Sequence, residues 1–341
     1  MNLLGKTLAE LQAVAQEVGL PRFAGKQLAE WIYVRRATSF DEMTNISLKG
    51  REALKARYNI GRHAPVAEAI SKDGTKKYLF RVSNSEAIYI ESVYIPDDDR
   101  ATLCVSTQAG CKMGCKFCMT GTLGFHGHLS AAEILNQIFS IPDSDKLTNI
   151  VYMGEGEPMD NLDNVLRSLE VMTAAWACAW SPKRITVSSV GVNKGLKRFI
   201  EESECHLAIS LHNPFSIERQ EIMPIEKANR LNDVIALLKQ YDWCHQRRVS
   251  FEYICWGGVN DTPKHANELL RLLKGLDCRI NLIRFHAGVN QDFPGSNEQQ
   301  MEWLRNYLTE RGITTTIRRS RGEDILAACG MLVNALQSDK Q

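Results

Sequence analysis

Three cysteines lie close together in the segment Cys111-Lys-Met-Gly-Cys115-Lys-Phe-Cys118. Thiolates at this spacing on one tight loop can each take a separate iron of a cubane [4Fe–4S] cluster. A cluster held by three thiolates keeps one iron without a protein ligand, open to a small molecule. Two other readings compete. Structural zinc asks for four ligands, and His126 or His128 could supply the fourth. The plainest alternative is a loop of unrelated thiols. Position favours the cluster, because the loop follows the first strand of a repeating β/α pattern. Parallel α/β folds carry their chemistry at the carboxyl ends of strands.

Other strand ends offer further chemistry. The second strand closes on Met153-Gly154-Glu155-Gly156-Glu157-Pro158. Its glycines let a ligand approach the backbone, and a carboxylate can pair with an ammonium. The third closes on Ser188-Ser189-Val190-Gly191 and the fourth on Ser210-Leu211-His212-Asn213. Taken singly, such hydroxyls and imidazoles are more often satisfied polar groups than ligands. Likewise Cys104, between Leu103 and Val105, and Cys329, in Ala327-Ala328-Cys329-Gly330, read singly as small buried hydrophobes. Glu91 reads singly as a surface carboxylate. Cys178, Cys205, Cys244, Cys255 and Cys278 keep the buried-hydrophobe reading.

The elements that must position these residues come in three stretches. Residues 1–60 are helical in pattern, with Leu8, Leu11, Val14 and Ala15 on one face, then Phe23 to Arg35 and Leu48 to Tyr58. Residues 61–100 carry two β-rich runs, Lys77–Val82 and Ala87–Ile95, around Ser83-Asn84-Ser85, and predict a hairpin extension. From 101 to 341 short apolar runs alternate with helical patterns: Leu103–Ser106, Asn149–Met153, Ile185–Ser188, Leu207–Leu211, Val249–Ile254 and Ile280–Ile283. Six β/α units imply a parallel sheet with right-handed crossovers, doubly wound or an incomplete barrel. A seventh β-like run, Thr314–Arg318, and a helix from Asp324 are expected after them. The 341 residues are 44% hydrophobic, enough for one large core with an appendage. A net charge of +1 announces no polyanionic partner, although local basic patches remain open. No secretory leader or membrane span is expected. Ten cysteines without the framework of a small secreted domain point to a reducing, cytoplasmic compartment and to metal or catalysis.

The whole string resembles the RlmN/Cfr family of radical S-adenosylmethionine (SAM) RNA methyltransferases. Six segments carry the resemblance, in the family's order: Ile90 to Val93, Ala101 to Cys118, Met153 to Pro158, Ser210-Leu211-His212, Gly258-Val259-Asn260-Asp261, and Ala327 to Gly330. Phe40-Asp41-Glu42-Met43-Thr44 in the N-terminal stretch looks similar too. The resemblance implies a partial (β/α)6 TIM-like barrel, a [4Fe–4S] cluster on Cys111, Cys115 and Cys118, and SAM on its open iron. Reduction of the cluster would call for a reductase or flavodoxin-type electron donor. Gly156 and Glu157 would hold the SAM amino group. Ser188, Ser210, Leu211 and His212 would meet its carboxylate, ribose or adenine. Cys329 would carry a methyl group from a first SAM, and a second SAM would provide the 5′-deoxyadenosyl radical that activates it. Glu91 would accept the proton of the attacked adenine carbon. Cys104 would resolve the covalent protein–RNA species through a transient disulfide.

The resemblance further implies a monomer acting on rRNA or tRNA, with C2 of adenosine favoured over C8 because Arg321-Gly322-Glu323-Asp324-Ile325 is closer to the C2-directed branch. The helical N-terminal stretch is the expected RNA-binding arm. Arg318-Arg319-Ser320-Arg321 and Lys183-Arg184 suit phosphates. Four departures mark the chain. His286 stands where the family has a SAM-contacting asparagine, Leu326 replaces an acidic residue, Met331 replaces a glutamine, and the loop 287–297 differs. Two alternatives are a radical SAM enzyme acting on another substrate, which needs no Cys329, and a zinc-containing RNA-binding protein.

Overall fold

The computed structural model of the protein describes residues 1–82, 85, 87–243, 248–286, 293–328 and 330–332. Twelve strands occur among them: β1 Ala67–Ile70, β2 Lys76–Arg81, β3 Tyr89–Pro96, β4 Ala101–Cys104, β5 Gln108–Gly110, β6 Phe125–His128, β7 Asn149–Tyr152, β8 Ile185–Ser189, β9 His206–Ser210, β10 Val249–Cys255, β11 Cys278–Arg284 and β12 Thr314–Ile317. Ten form one sheet in the order β1-β2-β3-β4-β7-β8-β9-β10-β11-β12. From β4 to β12 every pairing is parallel, so the six expected barrel strands are joined by the seventh run. The order is open at both edges, as a partial barrel requires. Helices Ala131–Phe139, Leu162–Thr173, Asn193–Glu202, Leu231–Leu238, Pro263–Leu273 and Glu298–Glu310 occupy the crossovers. β9 buries four of its five residues around the apolar run Leu207-Ala208-Ile209.

Local chemistry sets the helix starts. Ser130 and Glu133 make a reciprocal capping box at the helix after the cysteine loop, and Thr7 and Glu10 make another at Leu8–Glu17. Leu11, Val14 and Ala15 of that first helix are buried, as their spacing predicts. The helical stretch 1–60 shares one continuous core with the barrel: Tyr33 lies against Phe139 and Trp176, with ring centroids 6.3 and 5.8 Å away.

The hairpin extension forms as expected. β2 and β3 run antiparallel with Lys77 opposite Val93 and Leu79 opposite Glu91, and β3 joins β4 with Val93 opposite Cys104. Ser83 and Asn84 of the expected turn lie outside the described residues, as does Cys244. The hairpin thereby attaches to the first barrel strand and extends the sheet.

The expected helix from Asp324 is not found among the described residues. A single 3-10 turn, Glu323–Ile325, ends at Leu326 in the left-handed region, φ 53°. Long-range bonds explain it. The Asp324 carboxylate accepts from Ser71 Oγ (2.5 Å) and Lys72 N (3.2 Å), and Gly322 N donates to Asp73 (3.0 Å). Gly322 has φ +64°, and a Cβ there would fall 2.9 Å from the Thr75 side chain. The β1–β2 turn thus grips the segment after β12 and holds it across the hairpin. No helix among the described residues is long and apolar enough to cross a membrane.

Candidate active site

The cysteine loop is strapped on two sides. Cys111 N donates to Gly124 O (2.9 Å) beneath the small β5–β6 pair, and Lys116 N donates to Ile222 O (3.0 Å). Cys115 and Phe117 are buried with Trp256, Met223 and Ile254. All three cysteines face one pocket of about 150 Å³ at the carboxyl ends of the strands, shared with Gly156, Glu157 and His212. Burial pushes the Cys111 thiol up to about 12 and raises Cys115 and Cys118 as well. Raised thiols favour the protonated form, so a metal held here would have to displace their protons on binding.

The donor set fits a cubane better than a single ion. Among the described residues no three His, Cys, Asp or Glu side chains converge to hold one metal ion. A cubane takes each thiolate on a different iron and so tolerates a wider spread. The histidines that a zinc site would need are engaged elsewhere. His126 Nε2 meets Leu123 O at 3.1 Å, and His128 Nδ1 meets Gln108 Nε2 at 3.0 Å.

After β7 the chain turns through Gly156 at φ +97°, where a Cβ would fall 2.4 Å from Gln108 Cβ. Only glycine fits. The turn delivers Glu157, buried to 2% exposure, whose oxygens accept from Met159 N (3.0 Å) and Val190 N (2.9 Å). These two bonds fix the carboxylate between the ends of β7 and β8. Burial nevertheless holds its pKa up at about 7, the signature of a carboxylate short of a cation. Glu155, which motif reading passed over, is also buried and accepts from Glu91 N (2.8 Å) and Gly110 N (3.3 Å). It ties the β7 end to β3.

The ends of β8 and β9 are held by one guanidinium. Arg219, fully buried and ion-paired with Glu226, donates to the carbonyls of Val190, Ser210 and Leu211 at 2.9–3.0 Å. Ser188, Ser210 and His212 line the pocket; Leu211 is buried behind it with its backbone bonds filled by Arg219 and Glu252. His212 sits at φ 56°, and its Nδ1 accepts from Ile254 N (3.1 Å), so the neutral ring keeps Nε2–H as a donor. Burial, with Arg219 nearby, lowers its pKa to about 3 and keeps it neutral.

Glu91 is buried on β3, with Lys77 Nζ 3.1 Å from its Oε1. Cys104, on the neighbouring strand, joins an apolar patch of Val93, Ala327 and Leu332. Cys329 lies outside the described residues. Its neighbour Gly330 lines the cysteine pocket, with its carbonyl accepting from Met119 N (2.8 Å). No disulfide joins the described cysteines. His286 is not on the cysteine pocket. It bonds Ser320 Oγ, stands 3.4 Å from Glu323, and lines a second cavity. Residues 287–292 of the divergent loop lie outside the described residues.

That second cavity, about 510 Å³, is lined by residues at the amino ends of β7 to β10 and by the segments after β11 and β12. Lys183, Arg184, Arg248 and Arg279 stand around it, and none pairs with a carboxylate among the described residues. Burial, with Arg248, Lys183 and Arg279 around it, lowers His206 to about 4. Met153, Glu252, Ile283 and Arg318 line both cavities and form the partition between them. Arg318 reaches Glu252 at 3.2 Å across that wall. Arg318 and Lys183-Arg184 stand out in the sequence as basic clusters, whereas Arg248, Arg279 and Glu252 join them only through the sheet.

Comparisons with known proteins agree with this layout. The family described as ribosomal RNA large subunit methyltransferase N-terminal domain matches residues 1–60, and the radical SAM superfamily matches residues 105–283. The "Probable dual-specificity RNA methyltransferase RlmN" of Bacteroides fragilis is 60% identical over 99% of this chain and 97% of its own. The "Dual-specificity RNA methyltransferase RlmN" of Marinobacter nauticus is 40% identical over 99% of this chain and 94% of its own. The crystal structure of a radical SAM methyltransferase from Sphaerobacter thermophilus superposes with a TM-score of 0.90 at 36% identity, covering 97% of this chain and 98% of that one. With identity at this level over nearly the full length, a thiol loop suited to a cubane and the barrel to carry it, the chain belongs to the RlmN/Cfr family of radical SAM RNA methyltransferases.

Proposed function

We propose that the protein methylates an adenosine of rRNA or tRNA, at C2 in preference to C8, through a methyl-cysteine on Cys329 and with two SAM molecules per turnover. A [4Fe–4S] cluster on Cys111, Cys115 and Cys118, reduced by a flavodoxin-type or other reductase donor, supplies one-electron cleavage of SAM when bound. Everything else falls to the chain. Gly156 gives SAM room at the backbone, Glu157 answers its ammonium, and Ser188, Ser210 and the Nε2–H of His212 offer polar contacts to the rest, with Leu211 as an apolar backing. His286, on the far side of the partition, serves the RNA side in this reading. Glu91 takes the proton from the attacked carbon. As that proton leaves, the odd electron left by radical addition must pass to a one-electron acceptor; the Cys104 thiolate then attacks the sulfur of Cys329, an S–S bond forms, and the S–C bond breaks with its electron pair left on the carbon, which takes up a proton to become the methyl group.

The observation that carries this reading is the thin partition between two unlike cavities. A thiol-lined pocket lies on one side. On the other is a cavity rich in Arg and Lys, where Lys183, Arg184, Arg248 and Arg279 have no carboxylate partner among the described residues. A base unstacked from RNA could enter from that cavity while its phosphates stay on Lys183, Arg184, Arg248 and Arg279. Nucleoside mass spectrometry on RNA from a strain lacking the protein tests it. Loss of 2-methyladenosine, restored by the intact gene, is the expected result. Loss of 8-methyladenosine would move the site to C8, and an unchanged nucleoside profile would sink the reading.

Each cavity has its own expected outcome. Exchanging Arg248 and Arg279 together for Gln should weaken RNA binding roughly tenfold near physiological salt. The slope of log affinity against log salt should become shallower by about 0.7–0.9 for every phosphate that is no longer neutralised. SAM binding should not change; an unaltered salt slope would put the RNA elsewhere. Glu157→Gln should weaken SAM binding by about 1.5–3 kcal/mol, the scale of a charge-assisted hydrogen bond. Calorimetry on the cluster-loaded protein reads it, and unchanged affinity would leave Glu157 as a cap for the turn after β7.

A further inference from the structure

Lys77 lies on β2, diagonally across from Glu91 on β3, so both side chains share one face of the hairpin. Its Nζ stands 3.1 Å from Glu91 Oε1 and 3.5 Å from the carbonyl oxygen of Leu326. The Lys77 side chain is 11% exposed and that of Glu91 2%. A carboxylate taken out of water is costly to keep ionised unless a cation is paired with it, and a lysine is costly to bury without an anion. Leu326 belongs to the segment that the β1–β2 turn grips through Asp324, Asp73 and Gly322. The same segment packs Ala327 on Val93 and Cys104. One ammonium therefore touches both Glu91 and the stretch leading to Cys329.

We infer that Lys77 is a positioning residue for proton removal: it holds Glu91 ionised and aimed, and does so in register with the docked segment that leads to Cys329. The inference rests on the reading of Glu91 as proton acceptor. Among the described residues, three titratable groups lie on Glu91's side of the elements packed on it. Lys77 comes from β2, Cys104 from β4, and Glu155 from the turn after β7, where its carboxylate accepts the Glu91 amide. Of these only Lys77 is cationic. Glu155 is itself held up at about 8 by burial and cannot substitute. Without Lys77 the Glu91 carboxyl would lose its stabilising charge, and a higher pH would be needed to ionise it.

The test is single-turnover reaction of the cluster-loaded protein with RNA isolated from a strain lacking it, following the protein–RNA species that survives denaturation. In Lys77→Met that species should form at the wild-type rate and decay about 10- to 100-fold more slowly, the effect of losing one charge-assisted bond to the reacting base. Its decay should recover as pH rises, more steeply than that of the wild type. Lys77→Arg, which keeps the cation, should decay within a few-fold of wild type. The double variant Lys77→Met/Glu91→Gln removes both buried charges and should be no slower than Glu91→Gln alone, because Lys77 acts through Glu91. Wild-type decay in Lys77→Met, or fully additive losses in the double variant, would overturn the role of Lys77 while Glu91 stands. Wild-type decay in Glu91→Gln would instead remove Glu91 as proton acceptor and this inference with it. Should Lys77→Met fail to fold, the double variant compared with Glu91→Gln, together with Lys77→Arg, still decides.

Discussion

A Cys104→Ala enzyme is expected to stop on its substrate, leaving protein and RNA covalently joined. In the proposed sequence Cys329 loads a methyl and its carbon attacks the adenine before any second thiol is needed. Cys104 then supplies the thiolate that attacks the Cys329 sulfur. A disulfide between them requires the two Cα atoms to come within about 7 Å. Support comes from the neighbours: Ala327 packs in the patch that includes Cys104, and Gly330 is bonded to the residue after Cys118. The half-buried thiol costs about 1 kcal/mol or less to remove, so the variant should fold. Denaturing gels should show an RNA-linked band at up to one RNA per protein, with no release of methylated product. The band should vanish in Cys104→Ala/Cys329→Ala. Multiple turnovers by Cys104→Ala with no linked band would return Cys104 to the apolar patch as a packing residue.

Cys115→Ala should abolish both the cluster and SAM cleavage. After anaerobic reconstitution the wild type is expected to hold about four irons and four sulfides per chain, and the variant close to none. Cys115 lies buried against Phe117 and Trp256, where Ala leaves a small void worth about 1 kcal/mol, too little to unfold a chain with so large a core. Loss of iron with retained thermal unfolding would mark Cys115 as a ligand. Continued production of 5′-deoxyadenosine by this variant would remove the radical chemistry from the thiol loop.

What the sequence made legible is local. The barrel strands announce themselves as short β-branched runs. The start of the helix Ala131–Phe139 is legible because Ser130 and Glu133 cap it within four residues. The cysteine loop and the Gly156-Glu157 turn are contiguous, so their chemistry survives in one dimension. Lys77 and Glu91 are fourteen positions apart and meet only through hairpin register. Arg318 and Glu252, 66 positions apart, meet only across the barrel interior. No motif encodes either pair. At Asp324 local pattern and tertiary bonding disagree, and the hydrogen bonds to the β1–β2 turn prevail over helix formation. The β5–β6 pair escaped notice because strands of three and four residues rich in Gly and His lack an alternation to read. The helix Glu298–Glu310 carries a legible spacing in Met301, Leu304 and Leu308, which the six-unit count left aside.

The clasp between Ser71 and Asp324 spans 253 positions, with every barrel strand made in between. On a ribosome, at about 5–20 residues per second, roughly 13–50 s separate the emergence of the two halves of that clasp. During that interval the thiol loop and the Gly156-Glu157 turn are synthesised, before the segment that Ser71 and Asp73 grip. The thiol loop is therefore complete before the segment that leads to Cys329 exists. In the proposed function, translation order would therefore place completion of the thiol loop ahead of competence to form a covalent bond with RNA.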